Sequence, residues 1–185
     1  MKKINVIVTG ATGMVGEGVL HQCLNDERIE KVLVVGRRSC GVVHEKLSEI
    51  IHQDFFNLSH IASQLKGYDA CLFCLGTTSV GKKEKEFYHL TYELTMHFAE
   101  TVCKQNSDMV FSYISGKGTN ANGRMMWQKV KGKMPAWYKD YLFWNVTTIS
   151  VTSNNVPPNS KLSRSCKINH YTGIREFSGV KRDIA

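Results

Sequence analysis

The chain has 185 residues, with 24 Lys and Arg against 16 Asp and Glu, a formal charge of +8. Its 42% hydrophobic and 22% charged residues suit one globular domain and exclude a disordered, collagen-like or repeat chain. No stretch approaches the roughly 18 apolar residues of a membrane-spanning helix.

Residues 3–9 (KINVIVT) read as a buried β-strand, rich in β-branched residues and ending at glycine. Residues 14–25 follow with Val15, Val19, Leu20, Cys23 and Leu24 at helical spacing, and 31–35 (KVLVV) form a second apolar run. A third extended piece is expected near 47–53, then a short helix over 59–65 with Asn57 as its cap. Residues 70–75 make a fourth strand ending in Gly76-Thr77-Thr78, followed by a charged loop. The next helix carries Leu90, Leu94, Phe98 and Val102 every four residues on one face. Residues 109–114 are a fifth strand, and a Gly/Asn-rich loop leads to a helix over about 124–133. Strands alternating with helices predict an α/β fold with a parallel sheet covered on both faces.

The pattern then decays. Fifteen of the 45 residues in 141–185 are Ser, Thr or Asn, and only 141–151 looks able to add a strand.

Thr9-Gly10-Ala11-Thr12-Gly13-Met14-Val15-Gly16 forms a TGxxGxxG run between the first strand and first helix. Gly10 permits the tight turn, Gly13 lets backbone amides approach a pyrophosphate, and Gly16 allows close helix–strand packing. The helix N-terminus offers unpaired N–H groups and partial positive charge to the phosphates. The run therefore predicts dinucleotide binding. The second strand ends in Gly36-Arg37-Arg38, where an enzyme selecting NAD usually places Asp or Glu. Arginine suits a 2′-phosphate through bidentate charge-assisted bonds, so NADP is expected as cofactor in preference to NAD.

Those motifs, with Leu75-Gly76-Thr77-Thr78 after the fourth strand, resemble the short-chain dehydrogenase/reductase superfamily. The chain is more closely similar to the atypical NAD-dependent epimerase/dehydratase-like branch, including the Tat-interacting-protein-like oxidoreductases. Tyr113-Ile-Ser115-Gly-Lys-Gly-Thr and Met126-Trp-Gln-Lys-Val-Lys131-Gly also resemble bacterial members of that branch, and the likeness covers about residues 3–133. It implies a Rossmann-type doubly wound parallel sheet, with residues 1–140 as the NAD(P)-binding domain and 141–185 as a divergent tail. It further implies that Asp54 and Phe55 lie beside the adenine and that Leu75, Gly76 and Thr77 line the ribose side. A turn-forming carboxylate is an equal reading for Asp54.

For catalysis the resemblance implies a Ser on the fifth strand, then Tyr and Lys four residues apart on the next helix. The Ser orients the substrate oxygen, and the Tyr transfers a proton. The Lys lowers the Tyr pKa and binds the nicotinamide ribose. Ser115 and Lys131 occupy matching positions, but the tyrosine position holds Trp127, whose indole N–H donates a hydrogen bond and transfers no proton near neutral pH. Tyr113 shares a strand face with Ser115 and is a substitute candidate, whereas Tyr138 lies seven residues past Lys131, about 10 Å along a helix. The expected function is an NADP-dependent oxidoreductase acting on a small carbonyl, hydroxyl or sugar-like substrate. The alternative is a non-catalytic NADP-binding or sensing protein. Relatives continue into another strand with an Arg-Pro-Gly-like turn that the tail lacks, so a degenerate or frame-altered C-terminal segment is expected.

The six cysteines are expected to stay reduced, with Cys71-Leu-Phe-Cys74 as buried thiols inside an apolar run. No HExxH or GxSxG run occurs, so neither a metal site nor a hydrolase is expected. The scattered positive charge predicts no nucleic-acid partner. Lys82, Lys83 and Lys85 read as a solvated loop over the cofactor. The apolar run of residues 4–8 is too short for a signal peptide, so the chain is read as cytoplasmic and without a membrane partner. An exposed apolar face along Leu90 to Val102 would mark a homodimer.

Overall fold

A computed structural model describes residues 2–116 and 119–134, together with the backbone of 145–151. Six strands, β1 (Ile4–Thr9), β2 (Ile29–Gly36), β3 (Leu47–Ile51), β4 (Ala70–Phe73), β5 (Val110–Gly116) and β6 (Asn145–Val151), form one sheet in the order β3-β2-β1-β4-β5-β6. Every neighbouring pair is parallel. This is the Rossmann-type doubly wound α/β fold, in which the strand order reverses direction on leaving β1. The sixth strand falls within the run of 141–151 that the sequence singled out. Residues 152–185 and Tyr138 lie outside the described residues.

Period-2 alternation along the strands divides the core in two. Val6, Val8, Val32, Val34 and Leu72 face helix α1 (Met14–Asn25), packing with Val19, Leu20, Cys23 and Leu24. Ile7, Leu33, Val35, Phe73 and Phe111 face the other way and pack with Phe98 and Val102 of α3 (Leu94–Gln105). Phe73 sits between Phe98 and Phe111, with ring centroids at 5.4 and 5.7 Å.

Several local expectations are corrected by packing. The region 59–65 is a single 3₁₀ turn, Ala62–Leu65, and Asn57 instead accepts bonds from the Ser59 amide and hydroxyl. The helix after β4 begins as α2 (Glu84–Tyr88), passes through a π turn (His89–Glu93), and continues as α3. The π turn inserts one extra residue per turn, so Leu90, which lies within it, leaves the stripe that Leu94, Phe98 and Val102 keep along α3. Phe98 and Val102 stay in the core with Leu94 half-buried against them, and Leu90 and Leu94 line a cavity beside β4. The stripe therefore presents no continuous exposed apolar face. Lys82, at the start of this segment, is paired with Glu86 one helical turn on, at 3.0 Å.

None of the five described cysteines is in a disulfide. Cys71 is fully buried, and burial pushes its thiol and that of Cys74 well upward. The Cys23 and Cys103 thiols are pushed up to about 12 by burial. Thiols held protonated in this way do not act as thiolate nucleophiles or ligands.

Candidate coenzyme and catalytic site

A parallel sheet gathers the residues just past each strand along its C-terminal edge, and the crevice there opens where the order reverses between β1 and β4. The chain places the glycine turn after β1, the arginines after β2, Gln53 to Phe55 after β3, Leu75 to Thr77 after β4 and Ser115 at the end of β5.

The glycine turn is sterically determined. Gly10 has φ +68°, and a Cβ there would lie 2.7 Å from the Cys74 carbonyl oxygen. A Cβ at Gly16 would lie 2.0 Å from the Gly10 carbonyl oxygen, so α1 presses directly on the turn. The Gly13 amide donates to that same carbonyl at 2.9 Å, and the Glu17 amide opens the helix on the Gly13 carbonyl at 2.8 Å. No side chain caps α1. Its first-turn amides therefore face the crevice without an intrahelical partner, which fits a pyrophosphate. Thr12, Gly13 and Met14 are exposed at this turn, whereas Ala11 and Val15 pack into the core beneath it. Thr9 is buried, and its hydroxyl accepts the Cys74 amide at 3.1 Å, tying the ends of β1 and β4.

Two cavities adjoin the turn. The first, about 390 Å³, is lined by Gly10 to Thr12 together with Arg37, Arg38 and Gln53. The second, about 330 Å³, is lined by Asp54, Phe55, Phe56, Gly76, Leu90 and Leu94, among others. Arg37, Gln53 and Leu75 border both. Both arginine side chains are exposed. A nicotinamide dinucleotide has an apolar adenine ring and anionic phosphates, and the paired apolar and cationic walls fit those two parts. The Asp54 carboxylate accepts the Phe56 amide at 2.9 Å, the turn-forming role that sequence reading held equal to the adenine role. Phe55 is buried, stacked on Phe98 with centroids 5.8 Å apart, so it forms the wall of its cavity from within the core.

At the other end of the crevice stands helix α4 (Met126–Gly132), which brings Lys131 against β5. The Lys131 Nζ donates to the Ile114 carbonyl at 3.5 Å, and the Tyr113 hydroxyl donates to the Lys131 carbonyl at 3.0 Å. The two bonds run in opposite directions between the same pair of elements and hold the lysine against β5, where Ser115 is buried. Tyr113 is 4% exposed with its hydroxyl engaged on the helix, so it anchors α4 to β5. Trp127 lies one helical turn before Lys131, and a Cβ at Gly116 would lie 3.4 Å from its ring. Its indole N–H donates to the Met125 sulfur at 3.3 Å. The chain between β5 and α4 is held close, since a Cβ at Gly132 would lie 2.2 Å from the Ala121 amide nitrogen.

Burial pushes the Lys131 ammonium below its ordinary value of 10.5. Between the folded and unfolded values the unfolded chain binds more protons, so the penalty is present at neutral pH and disappears as pH rises towards 10.5. The stability of wild type relative to Lys131→Met should therefore increase between pH 7 and pH 10, measured by denaturant unfolding. An unchanged difference would show that the ammonium is solvated in the folded state.

Sequence reasoning missed Gln53, Phe56, Leu90 and Leu94. Gln53 was legible in principle, because residues just past the C-terminal end of a parallel strand border the crevice. The two leucines carried no such signal: Leu90 lies in the π turn, and Leu94 keeps the core spacing of α3 while bordering the cavity. Among the described residues no three His, Cys, Asp or Glu stand close enough to hold a metal ion, and no helix is long and apolar enough to cross a membrane.

Residues 6–125 match the NAD dependent epimerase/dehydratase family. The chain is 26% identical over 145 residues to Protein HTATIP2 of Rattus norvegicus, covering 77% of this chain and 60% of that protein. It is 26% identical over 136 residues to the mitochondrial Protein FMP52 of Candida glabrata, covering 72% of this chain and 57% of that protein. Thus it spans about three fifths of the length of these relatives. The fold superposes on UDP-N-acetylglucosamine 4-epimerase from Methanobrevibacter ruminantium with a TM-score of 0.62 at 17% identity, covering 88% of this chain and 61% of that one.

Proposed function

The chain belongs to the NAD dependent epimerase/dehydratase family, and from that premise we propose that it is an NADP-dependent oxidoreductase of the atypical short-chain type. Its substrate is a small carbonyl, hydroxyl or sugar-like compound. One observation carries the reading: the glycine turn and both arginines border a single cavity at the strand-order reversal. The turn and the uncapped N-terminus of α1 hold the pyrophosphate, and Arg37 and Arg38 hold the 2′-phosphate. Ala11, Thr12, Met14 and Val15 contribute main-chain contacts there. Asp54, Phe55, Leu75, Gly76 and Thr77 border the adenosine. When bound, the nicotinamide coenzyme supplies or accepts the hydride. Ser115 positions the substrate oxygen, and Lys131 binds the nicotinamide ribose while keeping positive charge near that oxygen.

Calorimetric titration should show NADPH binding more tightly than NADH. Replacing both arginines (Arg37→Ala with Arg38→Ala) should weaken NADPH about 10- to 100-fold, as expected when hydrogen bonds to a charged group worth about 1.5–3 kcal/mol are lost. NADH affinity should change little. Equal affinities for the two coenzymes in the wild-type protein would overturn the assignment of NADP.

A second reading is a coenzyme-binding or sensing protein without catalysis. Trp127 favours it, because the indole takes the place of a proton-transferring phenol and is engaged with Met125.

A further inference from the structure

The two arginines sit on the segment connecting β2 to β3, and two side chains from the β3 edge tie the segment down. The Gln53 carboxamide donates to the Arg37 carbonyl at 2.6 Å. The Glu49 carboxylate accepts the Ser39 hydroxyl at 2.7 Å and the Cys40 amide at 2.8 Å, one oxygen for each donor. Ser39 in turn accepts the Gly41 amide at 3.1 Å. Just before the arginines, the His52 amide donates to the Gly36 carbonyl at 2.8 Å. The platform carrying Gln53 is itself fixed, because His52 Nε2 lies 2.8 Å from the carbonyls of both Asp54 and Asn57. Two acceptors at that nitrogen require it to carry the proton.

Resting on the NADP reading above, we propose that Glu49 and Gln53 are positioning residues for coenzyme selectivity: they clamp the main chain between Arg37 and Arg38 and just after them, and present both guanidinium groups to the 2′-phosphate. A bidentate fork recognises phosphate only when its geometry is held, and a free connecting segment would have to be ordered at the moment of binding. Desolvation pushes the Glu49 carboxyl upward, and the Cys40 and Ser39 donors outweigh it, leaving the group below its ordinary value. It is therefore an anion at neutral pH whose oxygens are both engaged by the segment it clamps. An acid near the end of β2 or β3 could otherwise be read as a ribose-hydroxyl ligand favouring NAD. Glu49 is spent on the loop instead.

The test is calorimetry of Glu49→Ala, Gln53→Ala and Ser39→Ala with NADPH and NADH, repeated with 2′,5′-ADP and ADP to isolate the 2′-phosphate. All three side chains are exposed, so the variants fold, which circular dichroism verifies. Each variant should bind NADPH and 2′,5′-ADP roughly three- to tenfold more weakly, the range expected for one lost hydrogen bond. NADH and ADP should stay within about twofold of wild type for Glu49→Ala and Ser39→Ala, whose side chains border neither cavity, whereas Gln53 borders both and its variant is read by the ratio of 2′,5′-ADP to ADP affinity. A wild-type preference for NADPH that survives all three substitutions would overturn the clamp while leaving the NADP reading intact, as would equal weakening of both coenzymes by Glu49→Ala and Ser39→Ala. A wild-type protein with no preference for NADPH would overturn the NADP reading first and the clamp with it.

Discussion

Trp127→Tyr should raise NADPH-dependent turnover of small aldehydes and ketones by about 10²–10⁴-fold, the usual contribution of a positioned general acid. Residue 127 is one helical turn before Lys131 and reaches the end of β5, since its ring packs beside Gly116. A phenol on that helical face would stand by Gly116, the neighbour of buried Ser115, one helical turn before a half-buried ammonium bonded to the Ile114 carbonyl. That cation lowers the phenol's pKa and readies it for proton transfer. Indole offers none of this, and here its N–H is engaged with the Met125 sulfur. The measurement is NADPH oxidation across a carbonyl panel, with coenzyme affinity determined for both proteins. A large gain at unchanged affinity identifies a reductase scaffold that lacks only its acid. No gain at unchanged affinity means that the pocket was rebuilt around tryptophan, and the binding or sensing reading then stands.

The second large effect is expected at the glycine turn. Gly16→Ala should destabilise the protein by about 1–3 kcal/mol or more and remove measurable NADPH binding. Its Cβ would lie 2.0 Å from the Gly10 carbonyl oxygen, 2.5 Å from the Gly10 carbonyl carbon and 2.9 Å from the Ala11 nitrogen. All three are backbone atoms, so no flexible side chain can yield. Moving the Gly10 carbonyl also breaks its bond from the Gly13 amide, which shapes the surface offered to the pyrophosphate. Gly76 makes the comparison sharp, because a Cβ there meets nothing within 4 Å. Gly76→Ala should leave the thermal midpoint unchanged. Equal thermal midpoints for wild type and Gly16→Ala would falsify the close-packing account of this turn.

Clear local periods made the strands and the first helix legible. Val6, Val8, Val32 and Val34 alternate with residues of opposite facing, and Val19, Leu20, Cys23 and Leu24 keep helical spacing. The glycine turn was legible because φ +68° at Gly10 and the contact at Gly16 are demands that only glycine meets. Arg37 and Arg38 were legible as a pair because a strand ending in glycine places the next residues at the sheet's C-terminal edge. Tyr113 is the contrary case. Its strand face was read correctly, yet its hydroxyl partner is the Lys131 carbonyl, 18 residues on.

By itself, then, the sequence determined the alternation of strands and helices, the glycine turn at 10–16 and the arginine pair at 37–38. Each of these is a local property, set by side-chain period, φ preference or residue type. Only the tertiary structure decided the strand order β3-β2-β1-β4-β5-β6. It alone decided that Leu90 and Leu94 border a cavity, that Tyr113 anchors α4, and that Glu49 and Gln53 hold the arginine segment. The reason is that such contacts join residues far apart in the chain, or depend on a π turn that shifts a helical face. Nothing in the spacing of neighbouring residues encodes which distant backbone group a side chain will meet.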